Sequence, residues 1–324
     1  MTDMPTTTTV QTVAVIGAGL IGCSWAALFA AAGYNVRLYD TRPGTQQQMA
    51  DFWENVKPTL IRLGLATSET QPLLQVCDTL ADAVHDADFI QECIPERLAA
   101  KQALYAEIEP LLKASAIVAT SSSGLKLSDL QAQWQAPGRI IIAHPFNPPH
   151  LIPLVELYGN ERTAADVLPT ATALYEHCGK EVITLKREVL AHVANRLQAA
   201  LWREAIHLVL DGVASLKDVD TAVRAGPGLR WAVMGPHLLL NLGGGEAGLR
   251  AYCEQFRDSY HQWWDDLGQP RLTDQAIDQL VEALQEEIAD RDYATLRDER
   301  DQKLVAILGA MRDVDNQRRQ EQAR

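Results

Sequence analysis

Cysteine, aromatic residues and positive charge are scarce in this 324-residue chain, and none of its hydrophobic runs is long. Each shortage excludes something. The five cysteines, Cys23, Cys77, Cys93, Cys178 and Cys253, form no CxxC pair and no short cluster with histidine. An odd, dispersed set argues against a disulfide framework or a zinc site and for reduced thiols in a cytoplasmic protein; no metal is expected. Lysine and arginine number 29 against 42 acidic residues, a formal net charge of −13. That balance argues against nucleic acid or an anionic membrane as partner, although a single anion pocket needs only one or two arginines. No apolar run approaches the roughly 18–20 residues of a membrane span. The opening MTDMPTTTTV has no basic patch followed by an apolar stretch, so no secretory leader is expected, and its four threonines read as a frayed lead-in to the first strand.

The remaining composition, 47% hydrophobic and 22% charged, is that of a globular protein with length for two domains. The first half alternates short apolar runs with helical stretches. Strands are predicted over Thr12–Gly17, Asn35–Asp40, Leu74–Cys77, Asp88–Ile94, Ala116–Ser121, Arg139–His144, Leu154–Tyr158 and Glu181–Leu185, with helices such as Leu20–Ala32 and Leu98–Leu112 between them. Several strands lack polar alternation, as expected when both faces are covered. The pattern changes near Arg187. Beyond it lie a helical run over Val189–Leu210, a loop-rich segment from Ala225 to Gly248, an amphipathic region from Thr273 to about Met311, and a charged tail, DNQRRQEQAR, expected to be solvated or disordered. The expected fold is an α/β Rossmann-type doubly wound sheet over residues 1–187, followed by an all-α domain over 188–324.

Residues Val13–Gly22 read VAVIGAGLIG, a GxGxxG directly after an apolar strand and before a helix. Gly17 permits the tight turn, Gly19 lets the backbone approach a pyrophosphate, and Gly22 allows helix and strand to pack closely. Cofactor contact is expected along Gly17–Gly22, including Leu20 and Ile21, where the helix N-terminus offers free N–H groups to phosphate. Asp40, at the end of the next strand, can accept hydrogen bonds from the ribose hydroxyls and repels a 2′-phosphate, which favours NAD over NADP. Arg42 nearby is the opposing signal, since an arginine can accommodate that phosphate.

Oxidising an alcohol requires a base for the hydroxyl proton, and histidine titrates in the right range. His144 closes an apolar strand, where strand ends of this fold face the ligand crevice. Glu156, within the apolar LVELY, is costly to bury unless paired with a group such as an imidazole. A carboxylate behind the ring would fix its tautomer and stabilise the imidazolium. Taken alone, a histidine at a strand end is more often structural.

These segments, together with IQECIPER at Ile90–Arg97, the serines Ser121–Ser123, HPFNPP, LVE and the ANR of Ala194–Arg196, resemble in order and spacing the 3-hydroxyacyl-CoA dehydrogenases and their relatives acting on free hydroxy acids. The resemblance covers nearly the whole chain. It implies NAD-dependent oxidation of a 3-hydroxyl, with His144 as base and Glu156 as its orienting carboxylate. It further implies that Ser123 and Asn195 hold the substrate oxygen, that Glu92 and Lys101 line the cofactor, and that the chain forms a homodimer through its helical half. Asn147 reads as a loop hydrogen-bonder. A nucleotide-binding protein without turnover is the reading of a different class, and it would not need Ser123, His144, Glu156 and Asn195 together.

Within that family the segment Gly226–Gly248 is most similar to members acting on L-carnitine. Members oxidising L-gulonate, and true acyl-CoA enzymes, are the alternatives. Carnitine carries a carboxylate and a trimethylammonium, so recognition calls for a cation and for aromatic faces. Arg230 and Trp231 could supply one of each. Trp202, Trp263, Trp264, Tyr252, Phe256 and Tyr260 are further aromatics of the second half, and Glu246, Asp265 and Asp266 are possible cage acids. These aromatics could equally be core or interface packing.

Overall fold

A computed structural model of the chain describes residues 9–322, so all but the last of the four threonines and the end of the charged tail lie outside the described residues. The described residues divide into two compact units: 9–194 with Asp301–Asp313, and 195–300 with 314–322.

The first unit is built on one eight-stranded sheet. Its strands are β1 (Thr12–Ile16), β2 (Asn35–Tyr39), β3 (Leu74–Val76), β4 (Phe89–Glu92), β5 (Ile117–Thr120), β6 (Ile140–Pro145), β7 (Leu154–Tyr158) and β8 (Glu181–Thr184), in the order β3-β2-β1-β4-β5-β6-β7-β8. The helices α1 (Leu20–Ala31), α2 (Thr45–Arg62), α3 (Leu80–Val84), α4 (Leu98–Ile108), α5 (Leu127–Leu130) and α6 (Val167–His177) lie between strands in the chain. All eight predicted strands are present, most of them shorter by one or two residues. The central strands β4, β5 and β6 are buried along their whole length. That agrees with a sheet covered on both faces, where apolar residues need no alternation. One face packs Trp25, Phe29, Phe89 and Tyr175, the other Leu80, Ile108, Val118 and Leu130.

Every strand pair is parallel except β6 with β7. Parallel pairing needs a long crossover, whereas only residues 146–153 join these two strands, so β7 returns antiparallel. The register sets His144 opposite Glu156.

The remaining helices are α7 (Ala194–Leu210), α8 (Leu216–Ala225), α9 (Pro227–Val233), α10 (Pro236–Gly243), α11 (Gly248–Asp266), α12 (Asp274–Ile288) and α13 (Tyr293–Gln322). Two expectations need correction, the start of α7 and the loop-rich segment. The compact units part after Ala194, within a few residues of the expected boundary, and the N–H groups of Val193 and Ala194 are tied to Glu156 on β7. The helix expected from Val189 begins only at Ala194, since Ala191 and His192 take left-handed φ values of 62° and 52°. Ala225–Gly248 is not a loop: Pro227 and Pro236 stand at the first turn of α9 and α10, where proline's missing N–H costs nothing. The charged tail is exposed, as expected, and helical to Gln322 as a continuation of α13.

Candidate active site

The turn after β1 carries the glycine motif, and each glycine has a distinct physical reason. Gly17 has φ +98°, and a Cβ there would lie 2.8 Å from the carbonyl oxygen of Cys93. A Cβ on Gly22 would lie 1.7 Å from the carbonyl oxygen of Gly17, so helix and turn close only around a hydrogen atom. Gly19 faces open space, with nothing within 4 Å, and it is the N-cap of α1 without any side-chain cap. Leu20 beside it is exposed and Ile21 half-buried. An uncapped helix start fronting open space leaves N–H groups free for a phosphate, which is the fit a dinucleotide requires.

Asp40 lies beside this turn. Its Oδ2 accepts from the Ala18 N–H at 2.6 Å, and its carboxylate accepts from the Arg42 guanidinium at 3.0 and 3.1 Å. Burial works to raise the Asp40 carboxyl, but Arg42 and the backbone donors outweigh it and hold the group below the usual carboxylate value. Arg42 therefore spends its charge on Asp40, and the acid stays anionic at the position where ribose hydroxyls are expected.

His144 and Glu156 form the centre of the site. His144 Nδ1 lies 2.8 Å from Glu156 Oε2, and both side chains are buried. The other oxygen, Oε1, accepts from the N–H groups of Val193 at 2.9 Å and Ala194 at 3.0 Å. Burial tends to raise the Glu156 carboxyl, yet the histidine bond and the two backbone donors hold it below its ordinary value. An ionised carboxylate can only accept, so Nδ1 of His144 must carry the proton. In the neutral ring Nε2 is then a free base.

The serine run closes β5. Ser123 is exposed, its N–H donating to Glu96 Oε1 at 3.0 Å; that same oxygen accepts from the Ser122 hydroxyl at 2.6 Å and from Gly124 N–H at 2.8 Å. Glu96 was absent from the sequence-based set. The detectable signal was its place just beyond the C-terminal end of β4, where strands of this fold meet ligands. Glu92 and Lys101, expected along the cofactor, are paired with each other. They are an internal ion pair at 2.7 Å, 0% and 1% exposed, with Tyr105 and Thr120 completing the shell around Glu92. The 3.7 Å pair between Lys101 and Glu96 Oε2 links them to the serine turn.

His192 was also missed, because helical periodicity across Val189–Leu210 hid it. Its ring is buried 5.0 Å from that of His144. Asn147 is exposed on the loop after β6.

Asn195 is half-buried in the first turn of α7 and opens the helical unit. In that unit Arg230 and Trp231 are exposed on α9. Tyr252, Phe256, Tyr260, Trp263 and Trp264 form a ladder of ring contacts along α11, with centroids 4.8–6.2 Å apart. The Tyr252 hydroxyl and burial push Tyr260 up to about 12, against the nearby charge of Arg230. Trp263 and Trp264 are more than half exposed. Among the described residues no helix is long and apolar enough to cross a membrane.

Residues 12–189 match the family described as 3-hydroxyacyl-CoA dehydrogenase, NAD binding domain, and residues 192–283 match its C-terminal domain. An L-carnitine dehydrogenase of Streptomyces coelicolor is 44% identical over 93% of this chain and 95% of its own length. Another, of Pseudomonas putida, is 40% identical over 95% and 96%. Among solved structures, an NAD+-dependent dismutase, 5-formyl-3-hydroxy-2-methylpyridine 4-carboxylic acid 5-dehydrogenase, superposes with a TM-score of 0.81 at 29% identity, over 94% of this chain and 99% of that one.

Proposed function

Because the chain belongs to the 3-hydroxyacyl-CoA dehydrogenase family, we propose that this NAD-dependent 3-hydroxy acid dehydrogenase acts on a small free acid, L-carnitine, oxidising it to 3-dehydrocarnitine. The substrate rests on the L-carnitine dehydrogenases that are 40–44% identical over nearly the whole length. A net charge of −13 fits the polyphosphate tail of coenzyme A poorly, whereas zwitterionic carnitine carries no net charge to repel.

The observation that carries the chemistry is the His144–Glu156 pair at 2.8 Å. NAD, held along Gly17–Gly22 with its ribose on Asp40, supplies the hydride acceptor. His144 Nε2 takes the hydroxyl proton. Glu156 keeps the proton of the ring on Nδ1 and stabilises the imidazolium that forms. Ser123 and Asn195 are assigned to hold the oxygen as it gains carbonyl character, Arg230 to pair the carboxylate, and Trp231 to face the trimethylammonium, which has no hydrogen to donate. Oxidation releases a proton, so the forward direction is favoured at alkaline pH.

The helical unit carries exposed apolar side chains, including Trp202, Leu197 and Val281, and a groove lined by Trp202, Ile206, Val209, Leu216, Leu280 and Leu284. A second copy of the chain is the proposed cover, giving a homodimer.

The experiment is a parallel assay of NADH formation with L-carnitine, L-gulonate and 3-hydroxybutyryl-CoA. The expected result is turnover of L-carnitine with the highest kcat/KM. Preference for either other compound overturns the substrate assignment, and no turnover of any overturns the reaction.

A further inference from the structure

We infer that His192 is a positioning residue: its ring clamps the Ser122–Ser123 peptide against the His144–Glu156 pair. This rests on the reading of His144 as base and Ser123 as a substrate contact.

Ala191 and His192 are consecutive non-glycine residues in the left-handed region, at φ 62° and 52°. Such a conformation persists only where the surroundings over-determine it. Three contacts do so here. The His192 Nε2 lies 3.1 Å from the carbonyl oxygen of Ser122, and an N–H must be its donor. The next two backbone N–H groups, of Val193 and Ala194, both end on Glu156 Oε1. One short turn therefore touches both halves of the site, the serine segment through its side chain and the acid through its backbone.

The effect on the serine follows from peptide planarity. The Ser122 carbonyl and the Ser123 N–H belong to one rigid unit. His192 holds its oxygen, and Glu96 Oε1 holds its N–H at 3.0 Å. Clamped at both ends, the plane cannot rotate, and since the Gly124 N–H also ends on Glu96 Oε1 at 2.8 Å, the peptides on both sides of Ser123 are held and its exposed side chain leaves them in a fixed direction. Ser122 is pinned further by its hydroxyl on Glu96 and its N–H on Thr120 Oγ1. Removing His192 frees the carbonyl end alone.

Burial, together with the neighbouring charge of His144, holds His192 below the ordinary histidine value, with the Ser122 carbonyl, Glu156 and Glu96 opposing. The ring is thus neutral in the working range, with its proton on the nitrogen that faces Ser122. A neutral ring also adds no charge beside the base.

The test compares His192→Phe, His192→Gln, His192→Asn and His144→Ala with the wild-type protein, using NAD and whichever acid of the parallel assay the wild type oxidises. Phenylalanine keeps the ring volume and removes the donor. Glutamine carries an amide N–H the same number of bonds from Cα as Nε2, while asparagine falls one bond short. Misplacement of a reacting group costs up to about 100-fold, so His192→Phe is expected to lower kcat roughly 10- to 100-fold, with KM for the acid and NAD affinity within about threefold. His192→Gln is expected to restore most of that loss and His192→Asn little of it. Should the phenylalanine variant not fold, the glutamine–asparagine comparison carries the same expectation. The inference is overturned by a wild-type kcat in His192→Phe, by a change confined to KM, or by equal rates for glutamine and asparagine. If His144→Ala is inactive in those cases, only the role of His192 fails. If His144→Ala turns over normally, the base assignment itself fails.

Discussion

Glu156→Gln is the most informative single substitution in the dyad, because it keeps the shape and changes only the hydrogen-bond logic. In the native site one oxygen accepts from His144 Nδ1 at 2.8 Å and the other from two backbone N–H groups at 2.9 and 3.0 Å. All three partners donate, so a group with two accepting ends is required. A glutamine has one accepting and one donating end. If its oxygen faces the backbone, its NH2 faces Nδ1, and the ring must move its proton to Nε2, the nitrogen that should act as base. If its NH2 faces the backbone instead, three buried donors point at one another. The first arrangement forfeits general-base catalysis, typically about 10²–10⁴-fold; the second leaves unsatisfied buried donors, at about 1–3 kcal/mol of stability. NADH formation measured at saturating NAD, alongside urea denaturation, reads both. The lowered Glu156 carboxyl also has a signature of known sign. Its folded value lies below the unfolded one, so its contribution is present above about pH 4.5, the ordinary glutamate value, and is lost as pH falls through the folded value. The variant loses that segment of acid sensitivity. A Glu156→Gln enzyme with kcat/KM within about threefold of wild type and unchanged stability would refute the dyad reasoning.

Other perturbations follow from the same geometry. Gly22→Ala places a Cβ 1.7 Å from the Gly17 carbonyl oxygen, so the turn must open; NAD affinity, read by titration of intrinsic fluorescence, is expected to fall at least about tenfold. Lys180 is buried, donates to the carbonyl oxygens of Pro149 and Ile152, and is pushed down to about 7 by burial, against Cys178. Its folded value lies below the unfolded one, so the folded state binds fewer protons and stability rises with pH from about 7 upward; Lys180→Met is expected to flatten that slope in denaturation midpoints taken between pH 7 and 9, and an unchanged slope counts against it. Val281→Glu puts a charge into the apolar groove of the helical unit and is expected to give a monomer by light scattering; an unchanged mass sends the dimer surface elsewhere.

Much of the first unit was legible because its signals are local. The buried strands announce themselves as short apolar runs bounded by turns, and the glycine turn by three spacings that each have a steric cause. The His144–Glu156 pair was legible as an acid that needed a partner and a histidine at a strand end; their contact depended on the antiparallel β6–β7 pairing, which only a short connection implied. The misses are equally physical. Helical periodicity around Val189 could not reveal that Ala191 and His192 leave helical φ, since tertiary hydrogen bonds to Ser122 and Glu156 hold them there. Glycine and proline in Ala225–Gly248 punctuate short helices as readily as loops, and here they sit at helix ends. The burial of Glu92 in an ion pair with Lys101 was equally out of reach, since it depends on what β5 and α4 bring against it. The aromatics of α11 form a ladder on one helix, a pattern their spacing allowed without distinguishing it from a cage.

The proposed reaction requires the imidazole of residue 144 to remove the substrate proton. The most direct measurement is turnover by His144→Ala with NAD affinity determined on the same preparation. The expected result is a loss of about 10²–10⁴-fold in kcat with NAD affinity unchanged. Near-normal turnover by that variant, with NAD still bound, would contradict it.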